Sequence, residues 1–354
     1  MAKPSLRTVA EACGVSTATV SRALASHRSV KPATRQRIVA AARRHGYDRN
    51  DLVGKLMAHV RSGREQRFVG NLAVIHVPSP GEPRLLPAHR RIIAGAKARA
   101  QELGFQLYDF SVADGGLAPG GLARVLRARG VQGVIFIFTA PTDAMADFPW
   151  DNFATIEIDY GRREPFLHTV CLDHFMTLST ALARLHAQGY RRMGLFLERY
   201  KDARIAHKWS AAFRSFQEQT LAGPPIPVLA VERMNEADFG KWYRAHRPDL
   251  VLGHFAEAPV WLRRLGVAVP ETASFFNLNW TMRKRACAGL DVRLELQGSV
   301  AVENLVAQIH RNERGLPADP RTIMVTGRWV DGPTLRRAPW EKRPVVARAR
   351  NVST

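Results

Sequence analysis

Cysteine is scarce in this chain of 354 residues, and long apolar runs are missing. Its three cysteines, Cys13, Cys171 and Cys287, form no CxxC pair and lie near no pair of histidines. This spacing favours reduced, buried thiols over a disulfide framework or a zinc site. The longest apolar run, Val131 to Ala140, is far shorter than the roughly 20 residues that cross a bilayer. We therefore expect no membrane segment.

The sequence also lacks export and catalytic signatures. An amphipathic helical pattern follows Arg7, where a signal peptide would have its apolar core. We find no GxSxG, no Walker loop and no GxGxxG after the first predicted strand. We expect a cytoplasmic protein that has no catalytic residue, no metal and no cofactor.

Acidic residues are outnumbered by basic ones. The chain holds 31 Asp and Glu against 52 Lys and Arg, a net charge of +21. A basic protein is attracted to polyanions because neutralising phosphates releases counterions. Residues 1–67 hold 14 Lys and Arg against 4 Asp and Glu, and residues 328–354 hold 7 against 2. A GC-rich genome, which favours arginine codons, explains the basic residues of the body and tail equally well, but the N-terminal excess coincides with a motif.

Three helices are predicted before residue 50. Apolar residues recur at helical spacing from Leu6 to Cys13, and Gly14 can end that helix. Ser16 is placed to cap a second helix that carries Val20, and the third extends over Thr34–His45. An all-α head of three helices is therefore expected over residues 1–47.

Beyond Val69, short apolar strands alternate with amphipathic helices. This alternation indicates parallel sheets with helices on both faces, and its two sets predict an α/β body of two doubly wound lobes. Ligands in such sheets bind at the carboxyl ends of the strands. The predicted strands are 71–76, 105–110, 131–138, 154–158, 193–197, 226–231, 250–253 and 273–276. The predicted helices are 89–103, 122–129, 178–188, 206–219, 237–246, 260–265 and 297–311.

The segment from Val9 to Arg22 has the properties of a helix-turn-helix. Ala10 is small where two helices must approach, and Gly14 can turn the chain. The second helix then has a polar face whose short side chains let it enter a major groove. Arg22 can pair with guanine through two hydrogen bonds, or contact a phosphate instead. The residues projecting from this face are Thr17, Ala18, Ser21 and Arg22.

The pattern VA-x-x-x-GVS-x-x-TVSR, from Val9 to Arg22, resembles the head of the lactose-repressor (LacI) family. The resemblance implies a bacterial regulator of transcription, usually a repressor, that reads double-stranded operator DNA and therefore associates with the nucleoid. It also implies that Thr34 anchors a phosphate. Ser16 and Thr19 are further candidate backbone contacts, or only a cap and a packed hydroxyl. The pattern continues at the family's spacing through Val30, Thr34–Arg35, Ala41–Ala42 and Gly46–Tyr47.

The resemblance places a hinge and linker at residues 48–67. Leu56 matches a leucine that wedges between base pairs in the minor groove. The segment departs from the family because Arg49 replaces a proline, Val53 replaces an alanine, and Gly54 weakens a helix by about 1 kcal/mol relative to alanine. Leu56 therefore remains either a wedge or a side chain that packs against the body or a dimer partner.

Residues 68–335 resemble the two-lobed regulatory body of the same family, which is similar to type I periplasmic binding proteins. Gly95, the run Gly189–Gly194 and the ending Gly327–Leu335 carry this likeness. It implies a homodimer whose lobes bind a small-molecule effector, a sugar or a derivative. The effector contacts that it implies are Ser79, Arg90, Asp159, Asp173, Trp209, His254 and Asn279.

Several of these positions differ from the family's sugar-binding residues. His174 replaces the Asn of an Asp-Asn pair, Trp209 stands where an arginine is common, and Gly253–His254 replaces Asn-Asp. Fewer carboxylates and amides weaken the sugar interpretation, whereas Trp209 can stack on a flat ligand or belong to the core. The alternative is a regulator without a small effector, which answers to a protein partner or acts constitutively. The basic tail, 336–354, is either solvated or an auxiliary DNA contact.

Overall fold

The computed structural model describes residues 6–24, 30–44, 68–78, 86–112, 119–138, 145–159, 164–283 and 285–336. The chain divides into two compact units, residues 1–69 and residues 70–354. They are named the head and the body below.

The described part of the head consists of α1 (Leu6–Cys13), α2 (Thr17–Leu24) and α3 (Pro32–Arg44). Gly14 turns the chain between α1 and α2 at φ +60°, a conformation that side chains with a Cβ rarely adopt. The third helix begins two residues before the predicted Thr34, since Pro32 suits a first helical turn, where its missing N–H needs no partner. The buried core contains Val9, Ala10, Cys13, Val20, Ala23, Val30, Ile38, Ala41 and Ala42.

One lobe of the body is built on a six-stranded sheet. Its strands are β1 (Gly70–Val77), β2 (Phe105–Ser111), β3 (Val131–Phe138), β4 (Ala154–Ile158), β5 (His168–Leu172) and β11 (Thr322–Val325). Helices α4 (Pro87–Glu102), α5 (Pro119–Ala128) and α11 (Leu294–Arg311) accompany them. The strand order is β2, β1, β3, β4, β5, β11, and all neighbours are parallel. This is lobe 1.

Lobe 2 contains a second six-stranded sheet. Its strands are β6 (Met193–Glu198), β7 (Leu229–Val231), β8 (Leu250–Gly253), β9 (Ser274–Asn277), β10 (Ala288–Asp291) and β12 (Arg328–Val330). Its helices are α6 (His174–Ala187), α7 (Arg199–Ala203), α8 (Lys208–Thr220), α9 (Glu236–His246) and α10 (Ala258–Arg264). The order is β7, β6, β8, β9, β10, β12, with β12 antiparallel to β10 and the other pairs parallel.

The chain crosses between the lobes after β5, after β10, and between β11 and β12. Two of these crossings are tied together. The backbone N of Asp173 donates to the oxygen of Val325 at 2.9 Å, and the N of Gly327 donates to Thr177 Oγ1 at 3.0 Å. The carboxyl ends of both sheets therefore lie near the crossings, where a ligand site is expected.

Helices α4 and α11 approach each other closely at two glycines. A Cβ added to Gly95 would lie 2.0 Å from the backbone oxygen of Glu295, and one added to Gly298 would lie 2.0 Å from that of Ile92. Both obstacles are backbone atoms, so no side-chain movement can relieve the overlap. The absence of a side chain at these positions is what permits the packing.

The predicted fold, a three-helix head and two doubly wound lobes, is confirmed. Strands β5, β10 and β11 were not among the predicted strands, β12 was indicated only by the resemblance of the ending Gly327–Leu335, and β7 covers only the end of the predicted 226–231. The sequence of β10, Ala-Gly-Leu-Asp, has little strand propensity of its own. Its place comes from pairing, because Gly289 packs against the backbone of Asn277, where a Cβ would meet the oxygen at 2.3 Å.

The cysteines are buried and unbonded, as expected. Of the helices that the structure describes, none is both long enough and apolar enough to span a bilayer.

Candidate functional site

The start of α2 is shaped by Ser16. Its Oγ accepts a hydrogen bond from the backbone N of Thr19 at 3.2 Å and lies 2.9 Å from Thr19 Oγ1. Ser16 is thus the helix cap that the sequence predicts. Its side chain is also exposed, so the cap lies at the protein surface.

The predicted contact face of α2 lies at the surface of the head. Thr17, Ala18 and Arg22 are exposed, and Thr19 is half-buried. Arg22 Nε donates to the backbone oxygen of Ala18 at 3.3 Å, and a guanidinium carries further N–H donors. The side chain of Ser21 lies outside the described residues.

Basic side chains predominate in the described head. Arg22, Lys31, Arg35, Arg37 and Arg44 stand against the single acidic residue Glu11. Such a surface attracts a phosphate backbone.

Helix α3 is held against the rest of the head by two of its arginines. Arg35 Nη2 donates to the oxygen of Val30 at 3.5 Å, and Arg37 Nη2 donates to that of Cys13 at 3.4 Å. Thr34 is half-buried in the first turn of this helix. Leu56 and the whole predicted hinge lie outside the described residues.

In the body, an ion pair joins the two lobes. Asp159 directly follows β4, and Arg204 directly follows α7. Asp159 Oδ2 and Arg204 Nη2 are 2.8 Å apart, and the two side chains are 22% and 33% exposed. Asp159 has φ 69°, a left-handed conformation that non-glycine residues seldom adopt and that clusters at functional sites.

Trp209 lies beside two histidine rings in lobe 2. It is 3% exposed, although it stands in the first turn of α8. The His174 ring meets it edge-on with the ring centres 4.9 Å apart, and the His254 ring centre is 6.1 Å away. The structure therefore brings the predicted residues Trp209 and His254 together, with His174 next to them.

A second pair of histidines lies in lobe 1. His76, on β1, and His89, on α4, are both buried, and their ring centres are 4.7 Å apart. Burial lowers the pKa of His89 from 6.5 to about 4. The nearby His76 and Arg204 add to this effect, while Asp159 opposes it.

Burial also lowers the pKa of the lobe 2 histidines. The pKa of His254 falls from 6.5 to about 3, with Lys201, His174 and Arg204 contributing. The pKa of His174 is lowered for the same reason, and Asp159 opposes the change. The rings are therefore neutral at pH 7, so each offers one N–H donor and one acceptor nitrogen. In the described part of the chain, no three His, Cys, Asp or Glu side chains are grouped to hold a metal ion.

The remaining predicted effector contacts are not part of this group. Asp173 caps α6, with Oδ1 accepting from the backbone N of Met176 at 3.0 Å. Arg90 is exposed in the first turn of α4, and Asn279 is half-buried after β9, where its N donates to Asn277 Oδ1 at 2.8 Å. Ser79 lies outside the described residues.

Sequence reasoning missed His76, His89 and Arg204. A signal was present for His76, because it ends a predicted strand of a parallel sheet, where ligand sites form. His89 and Arg204 lie among many other polar residues, and only the folded chain shows that His89 lies against His76 and that Arg204 pairs with Asp159.

The comparison with protein families concerns the head. Residues 5–50 match the model of the bacterial regulatory proteins of the lacI family. The head of this chain is thus similar to the heads of lacI-family regulators. The matched residues include α1, α2 and α3, and therefore the exposed face of α2.

A curated relative is "HTH-type transcriptional regulator reg1" of Streptomyces lividans. It is 27% identical to this chain over 224 residues. The match spans 60% of this chain and 59% of the relative.

Solved structures of lacI-type regulators share the fold of the chain. A CelR–cellobiose complex has a TM-score of 0.56 at 19% identity and covers 94% of this chain and 99% of that one. The lac repressor dimer bound to operator and the anti-inducer ONPF has a TM-score of 0.54 at 18% identity. This match covers 95% of this chain and 100% of the repressor chain. A putative regulator from Rhizobium etli has a TM-score of 0.59 at 15% identity. This match covers 75% of this chain and 98% of the Rhizobium etli chain.

Proposed function

We propose that this chain is a sequence-specific, DNA-binding regulator of transcription that acts as a homodimer, represses its target genes and works on the bacterial nucleoid. The observation that carries the proposal is the exposed face of α2, on a packed three-helix head that matches the lacI family model. The named relative is a transcriptional regulator, which supports the same function.

DNA recognition rests on α2 entering a major groove. Thr17 and Ala18 are short enough to let its first turn approach the base edges, and Arg22 then reaches a guanine or a phosphate. Ser16 and Thr34 fix the position of the head on the phosphate backbone. One head reads one half-site, so a two-fold dimer reads a palindrome with half-sites on successive turns of the duplex.

Regulation rests on the space between the lobes. A small molecule that contacts Asp159, Trp209 and His254 would change the orientation of the lobes, because Asp159 belongs to lobe 1 and the others to lobe 2. The segment 48–67, with Leu56, would transmit this change to the heads. Operator affinity then depends on the effector, and by linkage DNA changes effector affinity to the same extent.

The experiment that tests DNA recognition selects duplexes from a random pool with the full-length protein. A palindromic consensus whose half-sites lie about 10 base pairs apart is expected. Enrichment of no sequence over the starting pool would refute sequence-specific binding. Mapping of the binding sites in the genome would then identify the regulated genes.

A second candidate is a regulator of the same architecture without a small effector. It is favoured by the intramolecular contacts of the predicted effector residues: Asp159 pairs with Arg204, Asp173 caps a helix, and Trp209 is buried against His174. Thermal shift against a metabolite library separates the two candidates. A ligand that both raises the melting temperature and releases the operator would exclude the second.

A further inference from the structure

Arg204 is the cation around which the interlobe groups are arranged. Its guanidinium contacts Asp159 of the opposite lobe at 2.8 Å, and its charge contributes to the lowered pKa of His89, His174 and His254. His89 belongs to α4 in lobe 1, whereas His174 begins α6 and His254 directly follows β8 in lobe 2. Arg204 itself follows a five-residue helix at the carboxyl end of β6.

The carboxylate that faces Arg204 is supplied by the protein. Asp159 Oδ2 contacts Arg204 Nη2 at 2.8 Å from the opposite lobe. The left-handed backbone of Asp159 is a conformation that costs energy in a non-glycine residue, so this carboxylate is held in place by its surroundings. A guanidinium has five N–H donors in a planar fork that matches a carboxylate, and this contact reaches it through one η nitrogen.

Among the described residues, two buried imidazole nitrogens of the body have no hydrogen-bond partner. They are Nδ1 of His89, whose side chain is 93% buried, and Nδ1 of His254. Buried polar atoms are nearly always paired in native proteins, so an unpaired one needs a ligand or a water. Since both rings are neutral at pH 7, either nitrogen can carry the proton and donate.

Two charged residues that precede Arg204 in the chain, Lys201 and Asp202, already have partners. Lys201 Nζ lies 2.8 Å from Glu198 Oε2, and Glu198 Oε1 accepts from the backbone N of Met234 at 3.1 Å. Asp202 accepts from the backbone N of Ser210 at 3.3 Å and lies 3.3 Å from His207 Nδ1. These contacts lie within lobe 2, whereas Arg204 makes its ion pair across the lobes.

We propose that the interlobe site binds a small-molecule carboxylate, which takes the place of Asp159 on Arg204 and accepts hydrogen bonds from His89 and His254. This inference rests on the proposed effector-binding function and names the chemical class of the effector. Binding replaces the ion pair that joins the lobes by contacts to the ligand, which gives the carboxylate a means of changing their orientation.

The test uses the smallest carboxylate and its neutral isostere on the full-length protein. Acetate and acetamide are titrated at pH 7 while the histidine side-chain resonances are followed by NMR. Acetate is expected to shift the His89 and His254 resonances with saturation, and acetamide is not. Equal effects of both, or an effect of neither, would overturn the proposal, as would saturation by inorganic phosphate in place of acetate.

Three variants locate the effect. Arg204→Met should abolish acetate binding, whereas Asp159→Asn should tighten it about tenfold, because the competing internal carboxylate is gone. The matched control is Arg264→Met, which removes an exposed arginine paired with Glu236 at 2.6 Å within lobe 2 and should leave acetate binding unchanged. Acetate binding that survives Arg204→Met, or is weakened by Asp159→Asn, would contradict the assignment.

Operator binding by the wild type without acetate is measured on the same preparation. Operator binding without acetate binding overturns the carboxylate assignment and leaves the regulator proposal standing. Acetate binding by a protein that binds no operator overturns the regulator proposal alone.

Discussion

The head and the body place their candidate sites in opposite ways. In the head, the predicted DNA contacts other than Thr34 and Leu56 fall within Ser16–Arg22, on one helix and its cap. In the body, the interlobe group is assembled from His89, Asp159, Trp209, Arg204 and His254, which come from separate helices and strand ends. A contiguous site can be recognised from a motif, but a dispersed one depends on every element that positions it.

The two regions also use charge differently. The described head presents basic side chains to solvent, with Glu11 as the acidic exception. The interlobe space instead balances Arg204 against Asp159 and keeps its histidines neutral. The first arrangement suits a polyanion, and the second suits a small ligand of defined shape and charge.

The largest expected effect is a loss of stability of the body in the variant Gly298→Val. Gly298→Val places side-chain atoms where a Cβ already lies 2.0 Å from the oxygen of Ile92, so α4 and α11 must separate. We expect the free energy of unfolding of the body to fall by about 3 kcal/mol. Urea unfolding followed by tryptophan fluorescence reports this unit, because all seven tryptophans lie at position 150 or later.

The control is Gly120→Ala, since a Cβ there meets nothing within 4 Å. It should leave stability unchanged or raise it by about 0.5 kcal/mol. Equal midpoints for the two variants would show that the helix contact does not limit the stability of the body.

The next largest effect concerns the affinity of the head for operator DNA. Arg22→Ala should weaken operator binding by about 1–3 kcal/mol, measured by fluorescence anisotropy at fixed salt. If Arg22 reads a guanine, the loss is confined to duplexes with the cognate base. If it contacts a phosphate, the loss is the same for all duplexes and the salt dependence becomes shallower.

Arg127→Ala, at an exposed arginine of α5, is the matched control and should bind operator as the wild type does. An unchanged affinity in Arg22→Ala would remove this residue from the contact face.

The smallest effect concerns how the stability of the body depends on pH. The pKa of His254 is about 3 in the folded protein and about 6.5 when unfolded, so the unfolded chain binds the extra proton. Stability should therefore be unaffected above pH 6.5 and fall below it, by about 1.4 kcal/mol per pH unit for this residue. His254→Gln should make the slope between pH 6.5 and 5 shallower by that amount.

Urea unfolding over pH 7.5 to 5 measures the slope, and His310→Gln, at an exposed position of α11, should leave it unchanged. A His254→Gln slope equal to that of the wild type would mean that this ring titrates normally.

Several parts of the body could be predicted because their patterns are local. The apolar runs of β1 and β3 and the helical spacing of α11 indicated their own structure. Strand β10 could not be predicted, since Ala288 and Gly289 favour no strand until β9 and β12 lie beside them. The pair Asp159–Arg204 could not be predicted either, because nothing in the 44 residues between them indicates that these two side chains meet.

The sequence by itself determined the head: its helices, its cap at Ser16 and the polar face of α2 follow from neighbours within a few residues of each other. It also determined that the body has two doubly wound lobes, since strand and helix periodicities are local. Only the tertiary structure decided which side chains meet between the lobes. Those contacts join residues far apart in the chain, and their formation depends on how two sheets and three crossings place the strand ends.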